Sequence, residues 1–305
     1  MIKKIHCFGT SFTAGGGFEF ECVGPRRRES IHKAYASINE EKKQYWFSYP
    51  GRLQRLLPNI DVKNYAKQGY GNERLYRKAF EIITSNFFNP EENLFIFEFS
   101  WLGRKEFWLN EFENHIIANY RFEENDKVDG GVALAESYHY DSYEKKNKLD
   151  EYQDLFNSFF KATYDAWNQR EVVERNLGLF FSFLRENKVK FIVTAVPKIC
   201  LEKDINYIKE NNLNINYRID DWNLPHRKHY TDEIEIVIGQ YGWKIDEETD
   251  GVWNDFHGGF YFNELVAHLI KNKMIELGHI VGDVVDENIL YKTYKDKFDN
   301  HKNTI

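Results

Sequence analysis

The chain is short of the features that settle a protein's class quickly. Only three of its 305 residues are cysteine, Cys7, Cys22 and Cys200, an odd number at wide spacing. That argues against a disulfide framework and fits a reducing compartment. Proline is scarce too, a matter of composition rather than function. No apolar run approaches the length of a membrane span. The run that follows Met1-Ile2-Lys3-Lys4 stops at Phe8, too early for a secretion signal. The expectation is a cytoplasmic protein without a membrane partner. Basic charge is also lacking: the formal net charge is -7, which leaves no electrostatic footprint for nucleic acid.

Nucleotide motifs are missing as well. Gly9 and Gly15-Gly16-Gly17 do not make the G-x-G-x-x-G spacing, and no Gly-Lys-Ser/Thr closes a phosphate loop. His226 and His229 have metal-like spacing, but no cysteine or carboxylate cluster stands near them. Neither a metal nor another cofactor is expected. Repeats and low-complexity tracts are absent.

What is present is a rhythm. Lys4 to Phe8 reads as a strand, Tyr45 to Leu57 as a helix, and Ile60 to Tyr65 as a second strand. Glu73 to about Phe87 reads as a helix and Leu94 to Phe99 as a third strand. The third strand is apolar on both faces until Glu98, as in a central parallel strand covered on both sides. Val189 to Ala195 is a fourth strand, and a helix runs from Phe262 toward Leu277. Alternating strands and helices predict an α/β domain with helices on both sheet faces.

The rhythm breaks after Ser100. About 101–150 reads as an aromatic-rich, partly helical insertion above the carboxyl ends of the strands, with a loop at Asp126 to Gly131. With 25 Phe, 19 Tyr and 7 Trp in the chain, such a segment suits a lid or a sugar-facing wall. It suits an oligomer surface or ordinary core equally well, so a homo-oligomer stays open. Leu149 to Asn187 follows as one long helix or two in line. The domain is expected to span 1–285, with a polar surface helix or tail at 286–305. The basic run Arg26-Arg27-Arg28 reads as a solvated loop or a contact to an anionic substrate.

Two stretches could carry chemistry. Gly9-Thr10-Ser11 follows the first strand, where parallel sheets place their ligands. Alone it reads first as a turn with no catalytic role. Asp255 and His257 lie two apart before the last helix. Asp255 could orient His257, and His257 could take the proton of Ser11 and return it to a leaving group. The same pair could simply cap the helix. Gly69, through its backbone N–H, and Asn72, through its amide, are candidates to hold an oxyanion beside the Ser11 amide. Their other reading is a turn glycine and a helix cap.

Taken together, these blocks resemble the SGNH/GDSL hydrolases, as a divergent member. Gly9-Thr10-Ser11-Phe12-Thr13 is similar to the first block, Asn64 to Gly69 to the second, and Asp255-Phe256-His257 to the last. The resemblance implies a flavodoxin-like three-layer α/β/α sandwich with a parallel sheet. It also implies a nucleophile at Ser11, a base at His257, its partner at Asp255 and oxyanion donors at Ser11 and Gly69. Two departures stand out. The family usually has Asp where Thr10 stands. Its third block usually reads Gly-x-Asn-Asp, where this chain has Glu98-Phe99-Ser100-Trp101. Ser100 would then replace the Asn donor, with Asn72 compensating. Glu98, at the end of a central strand, needs a partner if it is buried. Arg74, Arg77 and Arg104 are the candidates, in an ion pair that is structural or that holds the loop beside the nucleophile. The implied activity is a serine esterase acting through an acyl-enzyme, on a carboxylic ester such as an O-acetyl group of a carbohydrate. A non-catalytic structural or binding protein on the same fold, and an acyltransferase using the same serine, are the alternatives.

Overall fold

The structure, a computed structural model, describes residues 1–14, 48–67, 71–99, 104–109, 114–122, 128–135, 143–163, 166–195 and 260–302. Strand β1 (Lys4–Phe8) leads into a single helical turn, α1 (Ser11–Ala14). Helix α2 (Tyr49–Leu56), strand β2 (Asp61–Asn64), helix α3 (Asn72–Ile83) and strand β3 (Asn93–Glu98) follow. Three further strands come next, β4 (Arg104–Leu109), β5 (Asn114–Phe122) and β6 (Val128–Ala135). Helices α4 (Tyr143–Thr163) and α5 (Ala166–Glu186), strand β7 (Lys190–Ala195) and helices α6 (Phe260–Glu276) and α7 (Glu287–Lys302) complete the order.

Strands β2, β1, β3 and β7 lie side by side in that order, all parallel. Strand alternation gives the sheet two chemically different faces. Ile5, Cys7, Leu94, Ile96 and Ile192 point to one side, where Leu53 of α2, Leu265, Val266 and Ile270 of α6, and Leu290 and Tyr294 of α7 close over them. Phe8, Phe95, Phe97, Phe191 and Val193 point to the other side, against Leu75 and Ala79 of α3 and Leu177, Phe180, Phe181 and Leu184 of α5. The result is a three-layer α/β/α sandwich with a flavodoxin-like sheet, aliphatic below and aromatic above. On the aromatic face the Phe8 and Phe95 rings stack at 5.6 Å, and Phe180 meets Phe97 edge-on at 5.3 Å. Such pairs add about 0.5–1.5 kcal/mol each beyond area burial.

Local chemistry sets the helix ends. Pro50 sits in the first turn of α2, where a missing N–H costs nothing. Helix α6 stops at Gly278, whose φ of +69° allows the His279 amide to reach the Met274 carbonyl at 2.8 Å. Helix α5 closes in the same way, with the Val189 amide on the Leu184 carbonyl, but the residue at φ +54° is Lys188. The polar C-terminal stretch forms α7, anchored by buried Leu290 and Tyr294.

The insertion is aromatic and partly helical, and it also contains an antiparallel sheet, β4-β5-β6. Phe107 of β4 meets Phe156 and Phe160 of α4 at 5.2 and 5.7 Å, so these rings are core. Gly130 and Gly131, read from sequence as a loop, lie inside β6. The register explains them. Asn119 pairs with Ala133 and Arg121 with Asp129, so only Tyr120 stands opposite residues 130–132. Glycine suits such an irregularity. Strand β4 runs beside α3, tied by Arg77 to Glu106 at 3.0 Å and Lys105 to Glu73 at 2.9 Å.

A left-handed lysine is strained in a way that glycine is not. Lys188→Gly should therefore raise stability by up to about 1 kcal/mol, seen as a higher urea midpoint with an unchanged m-value. A lower midpoint would show that the Lys188 side chain contributes more than its backbone costs.

Candidate functional site

The chain path reverses across the sheet between β1 and β3, because β2 lies on one side of β1 and β7 on the far side of β3. In sheets of this kind the crevice outside the carboxyl ends at the reversal is where ligands bind. β1 delivers Gly9, Thr10 and Ser11 to this edge, and β3 delivers Glu98.

Glu98 is 3% exposed and is held entirely by the turn after β1. The Thr10 hydroxyl donates to Oε1 at 2.5 Å, and the Thr13 amide donates to Oε2 at 2.8 Å. The Thr10 amide adds a longer bond of 3.3 Å, and the Thr13 hydroxyl donates to Oε2 as well. Thr10 and Thr13 are themselves buried. Burial pushes the Glu98 carboxyl above its usual range, while the hydrogen bonds from Thr10 and Thr13 pull it down. None of the arginines expected as partners for Glu98, Arg74, Arg77 and Arg104, bonds to it among the described residues. Arg77 pairs with Glu106, and Arg74 donates to the Tyr65 carbonyl. Hydroxyls and amides therefore take the place expected for a guanidinium.

Gly9 makes this contact possible. A Cβ at position 9 would stand 2.5 Å from Glu98 Oε2 and 2.8 Å from Glu98 Cβ. The first strand must be followed at once by glycine for the third to bring its carboxylate in.

From Thr13 the bonding continues outward. Its hydroxyl shares a 3.0 Å hydrogen bond with the buried Tyr49 hydroxyl. The Tyr49 amide donates to Asn263 Oδ1 at 2.8 Å. Asn263 is in the first turn of α6. A neighbouring bond ties Arg52 of α2 to Glu264 at 3.2 Å. On the other side, the Asn64 amide donates to the Thr13 carbonyl at 2.9 Å, and the Lys67 amide reaches the Gly9 carbonyl at 3.3 Å. The Ser11 turn is thus tied to β2, β3, α2 and the head of α6.

Ser11 opens α1, immediately after the clamped Thr10. Asn72 opens α3 and is buried. Gly71 before it packs so closely on the insertion that a Cβ there would stand 3.1 Å from the Arg104 carbonyl oxygen. The Ser11 side chain, Gly69, Ser100, Asp255 and His257 lie outside the described residues, as do Arg26 to Arg28, His226 and His229. Phe260, the first residue of α6, follows His257 by three positions. In sequence the Asp255-His257 pair therefore precedes the helix whose head is bonded to Tyr49. Sequence reasoning singled out Glu98 but missed Thr13, Tyr49 and Asn263. Thr13 lies two residues beyond Ser11 and in phase with the turn, which is the one cue the sequence offers for it. No group of His, Cys, Asp and Glu among the described residues could hold a metal ion, and no helix among them is long and apolar enough to cross a membrane.

Glu98→Ala should cost about 3 kcal/mol or more, because it leaves buried amides at Thr10 and Thr13 without an acceptor. Denaturant unfolding measures this. The Glu98→Gln comparison has a defined sign. The folded state holds the Glu98 proton more tightly than the unfolded chain does. Stability from this group is therefore full below the ordinary value of 4.5 and falls as pH rises through the raised folded value. The stability difference should shift in favour of Glu98→Gln as pH rises above 4.5. A shift in the opposite direction would mean that the four donors outweigh burial.

A scan against protein-family models, a search of curated proteins and a search of solved structures each return no match.

Proposed function

We propose that the protein is a serine hydrolase of the SGNH type that cleaves a carboxylic ester. The observation that carries this reading is the clamped Gly9 to Thr13 turn, held by Glu98 at the crevice between β1 and β3. A turn with no task at that position needs no buried carboxylate beneath it. A nucleophile there needs a rigid backbone, since misplacement by about 1 Å can cost a hundredfold in rate.

In this reading Ser11 attacks the ester carbonyl and passes its proton to His257, which Asp255 orients. The oxyanion is met by the Ser11 and Gly69 amides, with Asn72 and Ser100 as side-chain donors in place of the absent third-block Asn. The alcohol leaves with the proton from His257. Water, deprotonated by the same imidazole, then releases the acid from Ser11. An O-acetylated carbohydrate is the substrate class favoured by the resemblance, with the aromatic insertion near α3 as a wall. Transfer to an alcohol other than water would use the same atoms.

A fluorophosphonate probe tests the reading. The wild type should be labelled at Ser11, and Ser11→Ala should not be labelled. His257→Ala should lower turnover of a nitrophenyl acetate by at least about a thousandfold. Labelling that persists in Ser11→Ala would defeat Ser11 as the nucleophile, and a wild type that is never labelled would point to a binding protein on this fold.

A further inference from the structure

We infer that Glu98, Thr13 and Tyr49 form a positioning network that fixes the turn bearing Ser11 against the head of helix α6; this rests on the hydrolase reading above. None of the three side chains can touch a substrate, because Thr13 and Tyr49 are no more than 1% exposed and Glu98 is 3% exposed. Any effect they have on the reaction must pass through the backbone they hold.

The path is continuous. Glu98 takes the amide and hydroxyl of Thr13, two residues after Ser11. The Thr13 hydroxyl meets the Tyr49 hydroxyl at 3.0 Å, and the Tyr49 amide meets Asn263 in the first turn of α6 at 2.8 Å. The Ser11 turn and the first turn of α6 are far apart along the chain and have no covalent reason to stay in register. This chain of bonds supplies one. Its polarity is also consistent. The carboxylate can only accept, so the Thr13 hydroxyl donates to it and must accept from Tyr49. Each hydroxyl proton thus has one assigned direction, and removing one member leaves its neighbours without a fixed orientation.

The test separates positioning from folding by measuring fluorophosphonate inactivation as a maximal rate and a half-saturating concentration. The proteins are wild type, Thr13→Val, Thr13→Ser, Tyr49→Phe and Glu98→Gln, each first shown to unfold cooperatively. Thr13→Val and Glu98→Gln should lower the maximal rate by about ten- to a hundredfold while the half-saturating concentration stays within about threefold. Tyr49→Phe should give a smaller loss in the same parameter. Thr13→Ser, which keeps the hydroxyl, should restore most of the rate. If Glu98→Gln does not fold, the Thr13 pair decides. A wild type labelled at Ser11 together with an unchanged maximal rate in Thr13→Val would overturn the network and leave the hydrolase reading standing. A wild type that is not labelled would overturn both.

Discussion

The fold depends on one carboxylate buried away from solvent and held by threonines instead of an arginine. Placing Glu98 at the end of a central strand removes it from solvent, at a cost of several kcal/mol for an unpaired ion. Four donors on Thr10 and Thr13 offset part of that cost. Because all four come from a single turn, the offset is available only if that turn has one conformation. The energetic requirement of a buried charge thereby becomes a geometric constraint on the residues around Ser11.

The sheet makes this affordable. Its two faces are filled by different kinds of side chain, branched aliphatics against α2, α6 and α7 and phenylalanines against α3 and α5. A strand buried on both sides cannot slip by one residue without exchanging the two sets, so the register that places Glu98 opposite the β1 turn is strongly specified. The insertion adds a third support. It leaves the end of β3 and returns along α3, where two ion pairs and the close approach at Gly71 hold it against the helix that Asn72 begins.

Much of this frame was legible in the sequence, and the reason is periodicity. Leu94 to Phe97 is too apolar for any place but a central strand, and Leu75 and Ala79 keep helical spacing. The inserted sheet was less legible. Strands such as Arg104 to Leu109 show no clean alternation, and their pairing is decided by partners rather than by intrinsic preference. Glu98 shows the same limit at the site. A carboxylate at a strand end announces a need for donors, and arginine is the partner a reader of sequence seeks first. The donors here are threonines 85 and 88 positions away, in a block noticed for Ser11 and not for any bond to Glu98. The meeting of Tyr49 with Asn263 joins the starts of two helices 214 positions apart and follows from the packed fold alone.

The close approach at Gly9 has an evolutionary side. Any side chain at position 9 collides with Glu98, and shortening Glu98 strips the Thr10 and Thr13 amides of their acceptor. Each change is harmful while the other residue stays as it is. Single-step paths away from the pair therefore pass through a damaged intermediate. A Cβ at position 9 would also collide with the Thr13 hydroxyl, so positions 9, 13 and 98 should drift together or not at all.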